Sequence, residues 1–299
     1  MYNSPNGQGI SMTISGLYPS RSEESYALWL EFPKATVNGK GNQIQHANFV
    51  KKMVSQFTVS ATGVISTLDT VNLVAKLGYP LALATYAIIS VEKTDSIASL
   101  PRSAFLGGNI TGDAATGSST LVVNHPDALN YDFSGMTAAI TLANAPGKPV
   151  NDLELYLMNA TSPTNTFASI NNLTPLPGGW EYALWAVDSS TKSLPPFNIY
   201  YGTFTTPDGV DSQPGDNHYN YPGGRYPADS TLPIYDLRSS GKVTAMMVLE
   251  PITNGMRPLV PFGAIISQVT ISSSAQGFTP IPLINRAALF PTATLTINR

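Results

Sequence analysis

The sequence predicts an all-β protein built from two tandem β-sandwich domains, and three observations lead to that prediction. The tetrapeptide Tyr-Ala-Leu-Trp occurs at residues 26–29 and again at 182–185, although the 299-residue chain has only three tryptophans. Short β-branched segments bounded by Gly, Pro or Asn recur along the chain. The composition is globular and rich in turn residues, with 42% apolar residues, 12% charged residues, 24 glycines and 24 prolines.

The repeat extends well beyond the tetrapeptide. At the offset that superposes the two tetrapeptides, three more identities appear upstream: Ile14 with Ile170, Leu17 with Leu173, and Pro19 with Pro175. Downstream, YAIISVEK (86–93) and TAMMVLEP (244–251) are both apolar segments that reach a glutamate. Because these matches occur in the same order, they indicate a tandem duplication. The predicted division is a divergent first copy at 1–145, a linker at 146–152 and a second copy at 153–299.

Individual elements follow from local patterns. Strands are predicted for QFTVSATGVIST, STLVVNH, TAAITLANA, NIYYGTFTT, AIISQVTISS and TATLTIN. The segment 77–91 predicts two short strands around a turn, and the segment 43–54 predicts at most two helical turns. In YALWL, alternation places Tyr26 on one face of a strand and Trp29 on the other. We therefore interpret Tyr26, Trp29, Tyr182 and Trp185 as core residues of two equivalent strands.

Composition also excludes several functions. The net charge is −3 with 16 Lys and Arg in total, which gives no basic face for nucleic acid. The chain has no cysteine, so disulfides, thiolate metal sites and a cysteine nucleophile are excluded. The three histidines (His46, His125 and His218) lack metal-ligand spacing, and no activated serine motif accompanies the nearby Asp127 and Asp216. We expect no enzyme activity, and no apolar stretch is long enough to cross a membrane.

The most distinctive stretch outside the predicted core is a long Gly/Pro-rich loop at 205–231 in the second copy. Its aspartates suggest a calcium site at Asp208, Asp211 and Asp216, since Ca²⁺ prefers oxygen ligands; no other cofactor is predicted. Its aromatic and basic side chains suggest a glycan or protein contact surface at Tyr219, Tyr221, Arg225 and Tyr226. An ordered surface loop with no ligand remains the alternative to both.

The second copy resembles the extracytoplasmic domain of anti-sigma-K-factor-type proteins and their secreted bacterial relatives. The resemblance rests on a Leu-Pro-rich lead into a Tyr-x-Leu-Trp strand at 175–185, Gly-x-Phe at 202–204, and a strand ending in Glu-Pro at 243–251. The first copy keeps Tyr26 to Trp29 and Glu92, but has Lys93 where the family has proline. The resemblance implies an immunoglobulin-like sandwich outside the cytoplasm, with no catalytic residues to carry over.

These observations lead us to expect a structural subunit of an extracellular or cell-surface bacterial assembly, such as a fibre, sheath or surface layer. Low charge suits packing between copies, and the alternation in ALFPTATLTINR is typical of an edge or donated strand. A secreted module that binds glycans or surface polymers through the 205–231 loop is the alternative. A second alternative is the sensor domain of an anti-sigma-type regulator, although the sequence shows neither the sigma-binding segment nor the membrane helix. No signal peptide is visible in the given chain.

Overall fold

The computed structural model describes residues 9–33, 49–66, 68, 72–94, 98–144, 153–162, 165–168, 170–189, 197–205, 236–252 and 260–299. Within these ranges the regular structure is mostly β-strand, with one α-helix at Leu73–Leu77 and short 3₁₀ helices at Leu81–Leu83, Phe133–Gly135 and Ala287–Leu289. The prediction of an all-β protein with β-sandwich character is therefore confirmed.

The strands pair antiparallel in all the ladders that the structure describes. The earlier strands are β1 (Gly9–Ser15), β2 (Glu24–Pro33), β3 (Phe49–Phe57), β4 (Tyr86–Lys93), β5 (Ser103–Asn109), β6 (Thr111–Gly112), β7 (Thr116–Leu121) and β8 (Thr137–Asn144). The later strands are β9 (Leu153–Tyr156), β10 (Met158–Ser162), β11 (Asn165–Ala168), β12 (Ile170–Asn171), β13 (Trp180–Asp188), β14 (Phe197–Phe204), β15 (Val243–Pro251), β16 (Ile265–Thr270), β17 (Ile281–Pro282), β18 (Ile284–Asn285) and β19 (Thr292–Asn298).

Two local predictions were wrong. In the segment 43–54, the described residues from Phe49 onward form strand β3 and not a helix, because they pair with β2 from Phe49↔Pro33 to Phe57↔Tyr26. A ladder of that length outweighs a weak local helical pattern. In the segment 77–91, only β4 is a strand. The chain before it ends the helix at Gly78 and forms the 3₁₀ turn after Pro80.

The described residues form two compact units whose limits do not follow the predicted division at 145 and 153. The first unit falls within Met1–Tyr131, Pro177–Gly179 and Phe290–Arg299, and the second within Asp132–Leu176 and Trp180–Leu289. The difference comes from pairing. Strand β19 pairs with β1 and β7 in the first unit, whereas β8 pairs with β9, β12 and β17 in the second.

The first unit contains a four-stranded sheet in the order β3-β2-β4-β5 and a second sheet in the order β1-β19-β7-β6. The second unit contains a sheet in the order β14-β13-β15-β16-β18 and a sheet in the order β12-β8-β17, in which β9 also pairs with β8. Strands β10 and β11 form a separate pair. The YALW strands β2 and β13 are thus each the second strand of a sheet, and β14-β13-β15-β16 corresponds to β3-β2-β4-β5. We call these two sets of four strands the arrays.

Strands β2 and β13 are buried on both faces. Nine consecutive residues of β2, from Glu24 to Phe32, are buried, and in β13 only Glu181 and Val187 are partly exposed. Because side chains alternate between the faces of a strand, burial along the whole length means that both faces are covered. These strands form the centre of the hydrophobic core in each unit.

Candidate functional site

The predicted loop site lies outside the described residues. Thr205 is the last described residue before it, and the chain is described again from Asp236. The calcium candidates Asp208, Asp211 and Asp216, and the contact candidates Tyr219, Tyr221, Arg225 and Tyr226, all fall in the interval. Both interpretations of this loop therefore stay predictions.

The four YALW aromatic residues are buried and make matching contacts in the two units. The Tyr26 hydroxyl donates to the Tyr18 carbonyl over 3.0 Å, and the Tyr182 hydroxyl donates to the Thr174 carbonyl over 2.7 Å. Tyr26 stacks on Phe57 with a centroid distance of 5.7 Å, as Tyr182 does on Phe204 at 5.6 Å. The tyrosines therefore tie each central strand to the chain eight residues upstream.

The tryptophan of each YALW tetrapeptide is connected to a buried glutamate at the end of a neighbouring strand. In the second unit, Trp185 Nε1 donates directly to Glu250 Oε1 over 3.1 Å. In the first unit, Trp29 Nε1 donates to Ser90 Oγ over 2.8 Å, and the Ser90 hydroxyl donates to Glu92 Oε1. The same glutamate oxygens accept backbone N–H groups from the next turn, that of Arg102 on Glu92 and that of Phe262 on Glu250. Each carboxylate therefore fixes the turn that follows its strand.

The registers of β2 and β13 with their neighbouring strands also match. Tyr26 lies opposite Phe57 and Val91, and Tyr182 lies opposite Phe204 and Leu249. The pairing of β2 with β3 shifts register between Leu28 and Trp29, and that of β13 with β14 shifts between Ala183 and Trp185. The two arrays therefore carry their irregularities at equivalent positions.

The second sheets have an unexpected feature: each receives a strand from the other half of the chain. Strand β8 has the sequence TAAITLAN and β19 has TATLTIN, so the two are similar in sequence. Their registers are also equivalent, because Ala138 of β8 lies opposite Ile170 and Ala293 of β19 lies opposite Ile14. We call β8 and β19 the exchanged strands.

Strand β19 lies between β1 and β7 and is paired on both sides. Its register runs from Gly9↔Asn298 to Ser15↔Thr292 with β1, and from Ala293↔Leu121 to Asn298↔Thr116 with β7. Ala293, Leu295 and Ile297 are buried, and the residues between them face outward or are partly exposed. We call the space between β1 and β7 the β19 slot.

A group of polar side chains in the first unit forms a second candidate site, which we call the polar cluster: Glu31, Lys51, Asn109, His125 and Asp127. Lys51 Nζ lies 3.6 Å from Glu31 Oε2 and 3.7 Å from Asp127 Oδ1, so one ammonium group bridges two carboxylates. The side chain of Glu31 is 8% exposed and that of Asp127 is 35% exposed. The cluster therefore runs from the interior to the surface.

Both ring nitrogens of His125 are engaged. The backbone N–H of Asp127 donates to Nδ1 over 3.2 Å, and Nε2 lies 2.9 Å from Asn109 Oδ1. Nδ1 is an acceptor here, so the neutral ring carries its proton on Nε2 and donates it to Asn109. Gly107 makes room for the ring, since a Cβ there would lie 2.8 Å from His125 Nδ1. This arrangement holds the histidine as a structural hydrogen-bonding group and not as an exposed base.

Burial shifts two ionisable groups of the cluster. Burial raises the pKa of Glu31, with the nearby Lys51 charge working against this shift and the Asp127 charge adding to it. Burial lowers the pKa of His125, against the opposite effect of the Asp127 carboxylate. The neutral imidazole is therefore the form that the folded state favours at neutral pH.

The second unit has no counterpart of this cluster at the equivalent described positions. Glu31 lies opposite Lys51 and Tyr86, whereas Val187 lies opposite Asn198 and Thr244. The second unit therefore folds with the uncharged Val187 and Asn198 at the positions of Glu31 and Lys51, and the charges occur at these positions in the first unit alone.

Two kinds of feature are absent from the described residues, a metal site and a membrane-spanning helix. No group of three His, Asp or Glu side chains within the described ranges is placed to hold a metal ion. Likewise, none of the helices described is both long and apolar enough to cross a membrane.

Comparisons with known proteins found no match to this chain. No protein-family model, no curated protein and no solved structure matches it. The site and its function therefore have to be argued from the chain itself.

Proposed function

We propose that the chain is a non-enzymatic structural subunit of an extracellular or cell-surface bacterial assembly, such as a fibre, a sheath or a surface layer. Its two immunoglobulin-like sandwich copies derive from one domain by tandem duplication. The matched strand orders, registers and Tyr, Trp and Glu hydrogen bonds support this origin. A tyrosine hydroxyl bonded to an upstream carbonyl is also a known feature of immunoglobulin-like sandwiches.

The observation that carries the proposal is the reciprocal exchange of β8 and β19. Each unit completes its second sheet with a strand that belongs to the other half of the sequence. Removing β19 from the first unit would break the ladder with β1 and the ladder with β7 together. A strand that is paired on both sides is held by two ladders, so it makes a stable connection once the sheet has formed, which suits a subunit of an assembly.

Composition supports the same proposal. The net charge of −3 on 299 residues gives weak repulsion between copies, and proteins with little net charge associate more readily. A subunit that packs against identical copies benefits from weak repulsion, whereas a protein selected to remain dispersed generally carries more charge.

Negative-stain electron microscopy of the purified native protein, at increasing concentration and with or without a chelator, tests the proposal. We expect regular filaments or sheets, and light scattering should show growth of the particle mass with concentration. Loss of these particles on chelation would in addition show that assembly needs a divalent cation, and substitution of Asp208, Asp211 and Asp216 would then test whether this loop binds it. Dispersed monomers under all conditions would overturn the structural function, and binding assays on glycan arrays would then test the alternative.

A further inference from the structure

The β19 slot has a counterpart in the second unit that holds a strand of similar pattern. The equivalent place in the second unit is filled by β8, which presents Thr-Ala-x-Ile-Thr-Leu where β19 presents Thr-Ala-x-Leu-Thr-Ile. Both strands arrive from the other half of the sequence. The requirements of the slot are therefore an alternating strand with small and branched apolar residues on one face.

The contribution of β19 to the first unit is confined to a short segment. The piece Phe290–Arg299 is separated from the rest of the first unit by residues 180–289, which belong to the second unit. Withdrawing this segment would move one strand and no other strand of the first unit. By contrast, β8 pairs with β9, the strand that follows it in the chain, so the two would have to move together.

Contacts at one end of β19 fix its register in the slot. The Arg299 backbone N–H donates to the Ala115 carbonyl over 2.8 Å, and Arg299 Nη1 donates to the Asp113 carbonyl over 2.6 Å. The guanidinium group lies close to Gly117, where a Cβ would come within 2.9 Å of Nη2. A strand that enters the slot one residue out of step would lose these bonds and would turn its apolar face outward.

We propose that β19 of one copy enters the β19 slot of a second copy in this same register, so that copies join head to tail. This inference rests on the proposed structural function and identifies the joint between subunits. The contacts of the strand would be identical whether it comes from its own chain or from another. Only the effective concentration of the tethered strand favours the intrachain arrangement, so a high protein concentration favours the exchange.

Such a joint is heterologous, because each copy donates one strand and accepts one. Heterologous contacts continue into open filaments unless the rotation between copies closes a ring. The main-chain hydrogen bonds to β1 and β7 provide the affinity, and the buried Ala293, Leu295 and Ile297 provide the specificity.

A cysteine pair distinguishes exchange between chains from pairing within a chain. Thr120 of β7 and Thr294 of β19 are register partners, and both are exposed, so Thr120→Cys and Thr294→Cys should leave the core intact. The natural chain has no cysteine, so any disulfide must come from the introduced residues. The two single variants are unfolded, mixed, refolded at high concentration and mildly oxidised, and the products are separated on a non-reducing gel.

We expect a disulfide-linked dimer in the mixture that exceeds the dimer formed by either single variant alone. The matched control is Thr111→Cys with Ser118→Cys, an exposed pair of register partners on β6 and β7 that should link within the double variant and not between single variants. The double variant Thr120→Cys/Thr294→Cys, refolded at low concentration, should form the intrachain disulfide and so verifies that the substituted chain folds.

Dimer in the mixture no greater than in the single variants, with the intrachain disulfide formed in the double variant, would overturn the exchange between chains. If the native protein forms filaments in the same conditions, the structural function then stands and the subunits join elsewhere. If the native protein forms no particles either, the structural function fails as well. The two proposals therefore fail separately.

Discussion

The two YALW-containing arrays share most of a frame of hydrogen bonds, and one array has a row of charged side chains that the other lacks. Register, bulge position, tyrosine contact and buried glutamate recur in both. The row that lies past the tryptophan does not recur, because it holds Glu31, Lys51 and Tyr86 in one array and Val187, Asn198 and Thr244 in the other. The shared features are therefore those that the fold needs, and the row of charges is not among them.

The largest effect should come from the shared tryptophans. Trp29→Ala and Trp185→Ala should each lower the free energy of unfolding by about 3–5 kcal/mol, because both indoles are 1% exposed and their removal leaves a cavity. Because the chain passes from the first unit into β8 and from the second unit into β19, we expect unfolding of one unit to destabilise the other. Calorimetry should therefore show a single transition that both variants shift downward.

The exposed Val64→Ala provides the control, since its side chain contributes little to the core and its transition should stay near that of the wild type. Two separate transitions, of which each tryptophan variant moves only one, would show that the exchange of strands does not couple the units.

A smaller effect should follow from substitution of Ser90, which connects Trp29 to Glu92. Ser90→Val introduces the counterpart Val248, and it removes the hydroxyl that accepts from Trp29 and donates to Glu92. We expect a loss of about 1–3 kcal/mol, because a buried indole N–H then lacks its acceptor. Chemical denaturation measures the loss, and the indole ¹⁵N–¹H signal of Trp29 should move.

Val248→Ser is the reverse exchange. Its new hydroxyl lies beside a tryptophan and glutamate that already bond directly, so we expect a change of about 1 kcal/mol from the lost apolar volume. A negligible effect of Ser90→Val would mean that Trp29 bonds Glu92 directly once the serine is gone.

The polar row should be dispensable for folding when it is replaced as a set. Glu31→Val/Lys51→Asn reproduces the Val187 and Asn198 pair, and we expect a stability within about 1 kcal/mol of the wild type. Lys51→Asn alone should cost about 2 kcal/mol, because it leaves the nearly buried Glu31 carboxylate without its cation.

Equilibrium unfolding of both single variants and the double variant gives the coupling energy. A double variant less stable than either single variant would show that the first array depends on its charges, and would contradict the comparison between the arrays.

Strand positions could be predicted from the sequence because alternation is a local property. In β19 the residues Ala293, Leu295 and Ile297 are buried and Thr292 and Thr294 are exposed, as the period of two requires. The helical prediction for the segment 43–54 was wrong because the spacing of Phe49, Val50, Met53 and Val54 fits a helix as well as a strand. Only the pairing of β3 with β2, which is not local, decides between the two.

The exchange of strands and the polar cluster could not be predicted for a related reason. The similarity of TAAITL to TATLTI is visible in the sequence, but alternation does not say which sheet a strand joins. In the cluster, the spacing His-x-Asp at 125–127 is visible, whereas Glu31 and Lys51 come from two other strands. Registers bring these residues together, and registers are set by the whole sheet.

The smallest effect should be a change in the pH dependence of stability through His125. Its pKa is lowered in the folded state, so the unfolded chain takes up the proton first, near the ordinary value of 6.5. The contribution of the neutral ring is therefore present above this pH and is lost as the pH falls through the folded-state pKa. Glu31 has the opposite sign, because its raised pKa adds stability as the pH falls towards 4.5.

His125→Gln keeps an oxygen that can accept from the Asp127 N–H and removes the titration. Between pH 7 and 5 we expect the variant to lose less stability than the wild type, by less than about 1 kcal/mol, because the ring is partly accessible and its site is shared with charged neighbours. Thermal melts at matched ionic strength measure the difference, with the double variant at Glu31 and Lys51 as the background that removes the opposing group. Parallel curves for His125→Gln and the wild type would mean that the ring binds its proton equally well in the folded and the unfolded chain. The polar cluster would then be an ordinary solvated surface, and its charges would be a difference between the arrays that does not affect stability.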